Sequence, residues 1–535
     1  MAETNPGLTS FPKFILRLFE DRNLTRRAYL NAVASGLEYA ARLLVGFLIT
    51  PLLVASLGDY FYGLWQMLNR MAGYLSPASG RPTQALKFTL ANQAASIDFE
   101  QKRRHVGSTL VVWTWFLPVI ACLGAILAWF TPLWVKASSE AVPQVRIAMG
   151  VLVLNLSLTS LAAVPRSVME GENLGYKRMG LTALLVIVGG GLTWLSLELK
   201  TGLIGVAAAL TLTTILTGLF YLIIVKSYVP WYGVARPPAP EALQFLKLSG
   251  WFLGWNLIMM LMTGSDVVIL GFFQSVESVT VYTLTKYAPE MVVSLVAIVV
   301  FGIAPGLGGI IGAGEIERAS RLRGEIMSLT WLFVTTTGTT ILMWNHRFLQ
   351  LWVGQDYYVG SLASALILLV VLQFVLIRND ANIIDLTLRL DRKVILGAVS
   401  VGVSLAAAGV MVGVFKMGVT GLCLGILLGR TMLTFGYPKY VGVILGESLS
   451  AQIRSALRPL LLTFLLFGFG SLWEEWTFST SRLSGMGWLP LAGSILVTFL
   501  VLLAACFFIG LPARQRRRVL NRFRFLVGGG KNASA

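Results

Sequence analysis

The feature that most constrains this chain is an internal repeat, in which a block of six hydrophobic spans occurs twice at an offset of roughly 215 residues. Ser35-Gly36 recurs as Ser249-Gly250, and Leu133-Trp134-Val135 recurs as Leu351-Trp352-Val353. An even number of spans gives both copies the same orientation in a membrane. The repeat therefore predicts two lobes related by a two-fold axis along the membrane normal, with a transport path between them.

Apolar runs long enough to cross a bilayer occur throughout the 535 residues. With 56% hydrophobic and 13% charged residues and a mean hydropathy of +0.74, the chain has too little polar surface for a water-soluble globule. We predict an all-α polytopic membrane protein of about 14 transmembrane helices, arranged as two pseudo-symmetric six-helix bundles plus two C-terminal helices. The predicted spans lie near residues 29–56, 61–80, 107–130, 147–165, 180–198, 202–225, 247–272, 279–306, 326–344, 361–378, 395–414, 418–437, 457–474 and 487–510.

The spans divide the chain into segments with different predicted roles. The opening residues mix aromatic and basic side chains, which favours an amphipathic helix on the inner membrane surface, although a plain basic leader explains them equally well. The first external turn, around Gly58, predicts a tight hairpin. The predicted segments are a cytoplasmic amphipathic leader (1–28), an N-terminal six-helix lobe (29–225), an inter-lobe linker (226–246), a C-terminal six-helix lobe (247–437), two additional transmembrane helices (438–510) and a basic cytoplasmic tail (511–535).

The net charge of +18 follows the predicted topology rather than marking a nucleic-acid surface. If the N-terminus is cytoplasmic, about 33 of the 43 Lys and Arg residues fall in cytoplasmic segments, as the positive-inside rule requires. Both termini are then cytoplasmic, and we expect no nucleic-acid partner. The loop from Gly80 to Arg104 is long and basic enough to hold an amphipathic helix.

Residue patterns for metal, cofactor or phosphate-loop chemistry are weak. The three cysteines are far apart and fall within spans. His105 and His346 are isolated and expected in loops, so we predict no metal and no cofactor. Gly306 to Gly314 does not match a phosphate-binding loop and favours close helix packing instead.

Ionisable residues at membrane depth are the informative ones, because each costs about 2.5 to 3.5 kcal/mol unless it is paired or hydrated. Aligning Tyr62 with Tyr282 places two of them, Arg70 and Glu290, opposite each other by repeat symmetry. The predicted set is Glu38, Arg42, Arg70, Asp266, Lys286, Glu290 and Arg430.

The basic members are predicted to bind an anionic lipid head group, because a guanidinium can donate two parallel hydrogen bonds to phosphate oxygens. These residues are Arg42, Arg70 and Arg430, with Lys286 as a weaker candidate. The alternative is that charges four residues apart on one helix, such as Lys286 and Glu290, only neutralise each other.

The acidic members Glu38, Asp266 and Glu290 are candidates for ion coupling or gating, with H+ or Na+ as the coupling ion. Asp266 has two open interpretations, a coupling-ion site or a bridge to Lys286.

Several short stretches carry a family resemblance, in order and at the expected spans. They include Leu57-Gly58-Asp59, Tyr62-Gly63-Leu64-Trp65, Met169-Glu170-Gly171, Gly175-Tyr176-Lys177, and Asp266 followed by Leu270-Gly271. Together they resemble the polysaccharide-transporter branch of the multidrug/oligosaccharidyl-lipid/polysaccharide exporter (MOP) superfamily, which contains the O-antigen lipid flippases. The chain departs from the family pattern at Thr263-Gly264-Ser265, where a basic residue usually precedes the aspartate.

The resemblance implies an alternating-access carrier, not an enzyme, that moves a polyprenyl-diphosphate-linked oligosaccharide across the cell inner (cytoplasmic) membrane for cell-surface polysaccharide assembly. Its implied partners are the lipid-linked glycan, membrane lipids and a glycan polymerase or assembly complex.

Two alternatives stay open at this point. A multidrug cation antiporter on the same scaffold should favour acidic cavity residues, whereas the predicted set has four cations against three acids. A membrane glycan polymerase or glycosyltransferase commonly needs a large catalytic loop, and the sequence shows none.

Overall fold

A computed structural model describes residues 24–79, 82–93, 96–172, 174–178, 180–312, 314–354, 357–386, 391–480, 485–511 and 516–517. The described residues fold into helices joined by short connections and contain no β-strand. Helices satisfy every internal backbone N–H and C=O within one segment, which the hydrocarbon core requires of a spanning element. The all-α prediction is confirmed.

The helices are long, and most exceed the span predicted from hydropathy at one or both ends. They are α1 (Leu24–Gly73), α2 (Pro82–Asn92), α3 (Phe99–Trp134), α4 (Val142–Gly171), α5 (Leu181–Glu198), α6 (Gly202–Tyr228), α7 (Ala239–Phe273), α8 (Val276–Gly312), α9 (Ile316–Trp352), α10 (Ser361–Leu386), α11 (Asp391–Gly413), α12 (Gly418–Leu445), α13 (Leu449–Ser479) and α14 (Trp488–Ala505).

Twelve segments within the described part of the chain are long and apolar enough to cross a membrane. One of them, Gly36–Ala78, covers the first two predicted spans. The predicted span at 279–306 lies in α8, whose side chains are described only in part. Every predicted span therefore overlaps one of these helices, as expected for a polytopic membrane protein.

The predicted hairpin turn around Gly58 is a kink at that residue alone. Gly58 has φ 74° and ψ 170°, whereas the residues on both sides are helical. A positive φ is costly for residues with a Cβ, so glycine is the residue that permits this bend without a loop.

The helices form two compact units that are interleaved in sequence. Among the described residues, unit 1 contains those within 24–56, 75–132 and 138–253, and unit 2 contains those within 57–74, 133–137 and 254–517. The last third of α1, from residue 57 onward, therefore belongs to unit 2. The lobe boundaries 29–225 and 247–437 and the linker 226–246 stay predictions.

The loop helix expected after the second span is present in unit 1 as α2. Its residues Ala85, Leu86 and Leu90 are fully buried against a core that includes Val168 and Met169 of α4. The prediction of an amphipathic helix in this loop is confirmed.

Small residues bring α11 and α12 of unit 2 into backbone contact. A Cβ on Gly429 would lie 2.2 Å from Ser404 Oγ, and one on Gly425 would lie 2.4 Å from Ala408 Cα. Close approach at glycine is a common way to associate helices within a bilayer, where apolar surface alone gives little driving force.

The last two helices pack on α9 within unit 2 and contact it through polar groups as well as apolar ones. Trp331 Nε1 donates to Thr463 Oγ1 at 2.8 Å, and Trp344 Nε1 donates to Thr498 Oγ1 at 3.1 Å. Phe467 of α13 fills the space beside Gly338, where a Cβ would approach the ring to 2.8 Å.

The expectation that His105 and His346 lie in loops is wrong, because His105 lies in α3 and His346 in α9. Hydropathy ended the spans where polar residues begin, but the helices continue through them. The leader, the tail beyond residue 517 and most of the packing expected at Gly306 to Gly314 lie outside the described residues.

Candidate functional site

Unit 2 collects five of the seven predicted intramembrane charges, on four helices. Arg70 lies at the end of α1, Asp266 on α7, Lys286 and Glu290 on α8, and Arg430 on α12. We call these five residues the charge cluster.

Asp266 is the buried anion of the cluster, and both of its oxygens accept hydrogen bonds. Oδ1 accepts from the backbone N of Val267 at 2.9 Å. Oδ2 accepts from Lys286 Nζ at 2.5 Å and from the Tyr282 hydroxyl at 2.7 Å. A buried carboxylate with a cation and further donors is compensated for its lost hydration. The bridge to Lys286, one of the two interpretations of Asp266, is thus present in this structure.

Glu290 contacts two of the three cations of the cluster, Lys286 and Arg70. Its Oε1 is 3.0 Å from Lys286 Nζ and 3.4 Å from Arg70 Nη2. The Glu290 side chain is 45% exposed and that of Arg70 is 34% exposed, whereas that of Asp266 is 8% exposed. The Arg70–Glu290 pair, expected to lie opposite each other by repeat symmetry, is therefore in direct but long contact.

Gly264 makes room for Arg70 on the facing helix. A Cβ at position 264 would lie 3.3 Å from Arg70 Cδ and 3.7 Å from the ring of Tyr74. Gly264 belongs to the stretch where the chain departs from the family pattern. No local sequence pattern connects Gly264 with Arg70, because the two residues are far apart in the chain.

Arg430 is the most buried cation of the cluster. Its Nη2 donates to the carbonyl of Met262 at 2.5 Å, and its guanidinium lies 5.3 Å from the centre of the Phe374 ring. Within the described residues it has no carboxylate at salt-bridge distance, but it interacts electrostatically with Asp266. Three cations and two carboxylates leave the cluster with a net charge of +1.

Unit 1 holds the other two predicted residues in a row of alternating charges. Arg42 Nη2 contacts Glu38 Oε1 at 2.8 Å, the predicted pair four residues apart. Glu170 receives Arg166 Nε at 2.8 Å and Lys87 Nζ at 2.9 Å, and Arg166 also interacts electrostatically with Glu38. The prediction omitted Lys87 and Arg166, because both lie beyond the ends of the hydropathy spans.

A separate buried pair in unit 2 was also missed. Arg323 contacts both oxygens of Asp380, at 2.8 and 3.0 Å, and also reaches Glu447 at 3.1 Å and Gln452 at 2.9 Å. The guanidinium donates to four acceptor atoms on three segments of the chain. This pair therefore has the geometry of a structural salt bridge that holds these segments together.

The family comparison matches residues 99–304 to the family described as polysaccharide biosynthesis protein. A comparison of the whole chain with curated protein sequences found no match.

Solved structures of transporters share the fold along most of their length. One is described as lipid II flippase MurJ in an inward closed conformation, with a TM-score of 0.63, 12% identity, and coverage of 89% of this chain and 98% of that one. A multidrug resistance MATE family transporter of the MOP superfamily, inward-facing, gives a TM-score of 0.61 at 14% identity, covering 78% and 98%.

A third neighbour, a MOP superfamily transporter from Pyrococcus furiosus, gives a TM-score of 0.52 at 16% identity, covering 79% of this chain and 97% of that one. Its description states that reverse polarity of the binding pocket suggests a different function. These identities show a shared fold, and the proteins that share it are transporters and flippases. The matched family model and the shared fold agree with the resemblance predicted from the sequence: the chain has the fold of the MOP superfamily transporter and of the flippase described above, and its residues 99–304 match the family of polysaccharide biosynthesis proteins.

Proposed function

We propose that this protein is an alternating-access flippase that moves a polyprenyl-diphosphate-linked oligosaccharide across the cell inner membrane, with both termini cytoplasmic and without a covalent step. The observation that carries the proposal is the charge cluster of unit 2, which has a net charge of +1 within membrane-spanning helices. Uncompensated positive charge at this depth is costly, and an anionic substrate would offset the cost.

The four basic candidates differ in how they would meet the diphosphate. Arg70 is partly exposed and makes one long contact, so its guanidinium is the most available of the three cationic groups in the cluster for hydrogen bonds to the diphosphate. Lys286 is tied to Asp266, and Arg430 is buried, so both act mainly through their positive charge. Arg42 in unit 1 is 59% exposed and would provide a separate basic contact.

The acidic candidates Glu38, Asp266 and Glu290 fit ion coupling or gating by H+ or Na+. Each is paired with a cation, and protonation of a carboxylate would weaken that pair. Asp266 already accepts three hydrogen bonds, one of them from the cation Lys286, so a proton or Na+ would compete with Lys286 for the negative charge of the carboxylate.

Substitution of Arg70, followed by glycan-lipid translocation in reconstituted vesicles, tests the substrate assignment. If Arg70 binds the diphosphate, Arg70→Ala and Arg70→Glu abolish translocation with little loss of folded protein, and Arg70→Lys keeps part of it. Since Arg70 contacts Glu290, the double variant Arg70→Glu with Glu290→Arg is the matched control for a purely structural pair. Wild-type translocation by Arg70→Ala, or full rescue by the double variant, would overturn the assignment.

The same vesicles separate this proposal from a multidrug cation antiporter. The positive charge of the cluster disfavours binding of cationic drugs. We therefore expect the wild type to translocate the glycan lipid but not to transport a fluorescent lipophilic cation. Gradient-driven export of the cation with no glycan-lipid movement would favour the antiporter instead.

A further inference from the structure

We propose that Glu290 is a built-in counter-ion that occupies the anion position beside Arg70 and Lys286 when the carrier is empty, and that the substrate's diphosphate displaces it. This inference rests on the proposed function and adds a mechanism by which the same cluster detects its substrate.

The two carboxylates of the charge cluster are held very differently. Asp266 is buried and accepts three hydrogen bonds, which include the 2.5 Å contact with Lys286. Glu290 is 45% exposed and offers the single oxygen Oε1 to both Lys286 and Arg70, at 3.0 and 3.4 Å. Asp266 is therefore the fixed anion, and Glu290 is the one that solvent or a ligand reaches.

Arg70 is poorly satisfied by this partner. It makes one hydrogen bond, at 3.4 Å, in the part of the chain that the structure describes. A guanidinium binds best when two N–H groups meet two oxygens, a geometry that a diphosphate provides and Glu290 does not. The exchange of Glu290 for a diphosphate thus improves the contacts of Arg70.

The exchange also leaves no buried charge without a partner. Lys286 keeps its bond to Asp266 when Glu290 departs, and the half-exposed Glu290 carboxylate is hydrated by water. Arg70 and Lys286 acquire the diphosphate charge in return. A built-in anion of this kind weakens binding of every competing anion, so that only a ligand with more than one charge and several oxygens displaces it.

The same pair affects the empty carrier. With Glu290 in place, Arg70 is neutralised in the absence of substrate, which lowers the cost of keeping it inside the membrane. Removal of the carboxylate should therefore tighten anion binding and slow the turnover that depends on substrate release and return of the empty carrier.

The test measures binding of farnesyl diphosphate, a short prenyl diphosphate, to the purified full-length protein in nanodiscs by titration calorimetry. We compare the wild type with Glu290→Gln and, as the matched control, with Glu317→Gln. Glu317 also pairs with a basic residue four positions away, Arg321 at 3.4 Å, but is 92% exposed. Both substitutions remove one negative charge from such a pair.

We expect Glu290→Gln to bind farnesyl diphosphate about fivefold more tightly than the wild type, the effect of losing a competing ion pair of modest strength, and to translocate glycan lipid more slowly. Glu317→Gln should match the wild type in both measurements. Glu290→Ala serves as the second variant if the glutamine protein is not recovered folded.

The possible results separate the two proposals. If the wild type binds farnesyl diphosphate and both Glu290 variants bind it equally or more weakly, the counter-ion role is overturned. The flippase proposal then still stands. Tighter binding in Glu317→Gln as well would show a general charge effect and also overturn the role. Absence of farnesyl diphosphate binding by folded wild type overturns the proposed function, and the counter-ion role with it.

Discussion

Gly264 shows how a residue without a side chain shapes the charge cluster. Its missing Cβ leaves space for the aliphatic stem of Arg70, which a methyl group would approach to 3.3 Å. A larger side chain would occupy that space and push the guanidinium away from Glu290. The position thus controls where the most accessible cation of the cluster points.

At this position, Gly264→Leu should weaken farnesyl diphosphate binding at least several-fold while the protein remains folded, because Arg70 is displaced rather than lost. Gly254→Leu is the matched control on the same helix, where a Cβ would meet nothing within 4 Å. Titration calorimetry and the melting temperature in detergent are measured for both. Equal binding by the two variants would contradict the role given to Gly264.

At the scale of single residues, the sequence predicts which charges are costly at membrane depth and several of their ion pairs, but not the uncharged groups that complete the cluster. The insertion cost of a charge is a property of one position, so Arg70, Asp266 and Glu290 could be selected from the chain alone. The bond from the Tyr282 hydroxyl to Asp266 and the space beside Gly264 depend on how helices pack, which no local pattern encodes.

At the scale of helices, α9 begins at Ile316 and α10 ends at Leu386, both beyond the predicted spans at 326–344 and 361–378. Hydropathy marks only the part of a helix that faces hydrocarbon. The extensions carry Arg323 and Asp380, whose buried pair was missed for that reason. Their charges are tolerated because each satisfies the other.

Loss of one partner from this pair should be severe. We expect Asp380→Asn to destabilise the protein by about 3 kcal/mol, because it leaves the buried Arg323 without its main counter-ion. Glu315→Gln is the control, since its exposed contact with Arg318 at 2.8 Å on the same helix contributes little. Thermal unfolding in detergent measures the difference, and equal melting temperatures would contradict the expectation.

A second polar contact that holds helices together joins α9 to α13. His346 Nδ1 lies 2.6 Å from Glu474 Oε1, and its ring stacks between Tyr358 at 4.4 Å and Phe478 at 4.2 Å. Glu474→Gln should lower stability by about 1 to 3 kcal/mol, because the amide is a weaker partner for the imidazole. The exposed Glu140→Gln is its control in the same melting experiment, and an unchanged melting temperature for Glu474→Gln would show that the contact is not stabilising.

At the scale of the whole molecule, the final two helices contribute to unit 2 rather than merely following it. They accept hydrogen bonds from Trp331 and Trp344 of α9, and the Met486 carbonyl in the connection between them accepts one from Arg347. Truncation after Glu447 would remove these acceptors and open the space beside Gly338. We expect the truncated protein to be poorly expressed and to melt earlier than the full chain. Normal expression and melting would show that the two helices are dispensable for folding.

The positions of the apolar spans could be predicted because length and apolar content decide them. The assignment of the last third of α1 to unit 2 could not be predicted, because a contiguous repeat predicts contiguous lobes. Met67 packs against Gly271, where a Cβ would lie 2.3 Å from its sulfur, and Gly63 packs against Val276, where a Cβ would lie 2.2 Å from the carbonyl oxygen. Such contacts appear only in the folded chain.

The kink at Gly58 has a consequence for attempts to divide the protein into independent halves. A gene cut in the linker at 226–246 would produce a C-terminal fragment that lacks residues 57–74 and therefore lacks Arg70 and the side chains that pack on Gly271 and Val276. Such a fragment should be insoluble alone in detergent and recoverable when the N-terminal fragment is made in the same cell. The C-terminal half of the sequence thus depends on residues 57–74 of the N-terminal half, and we expect it to fail as a free-standing module in chimaeras.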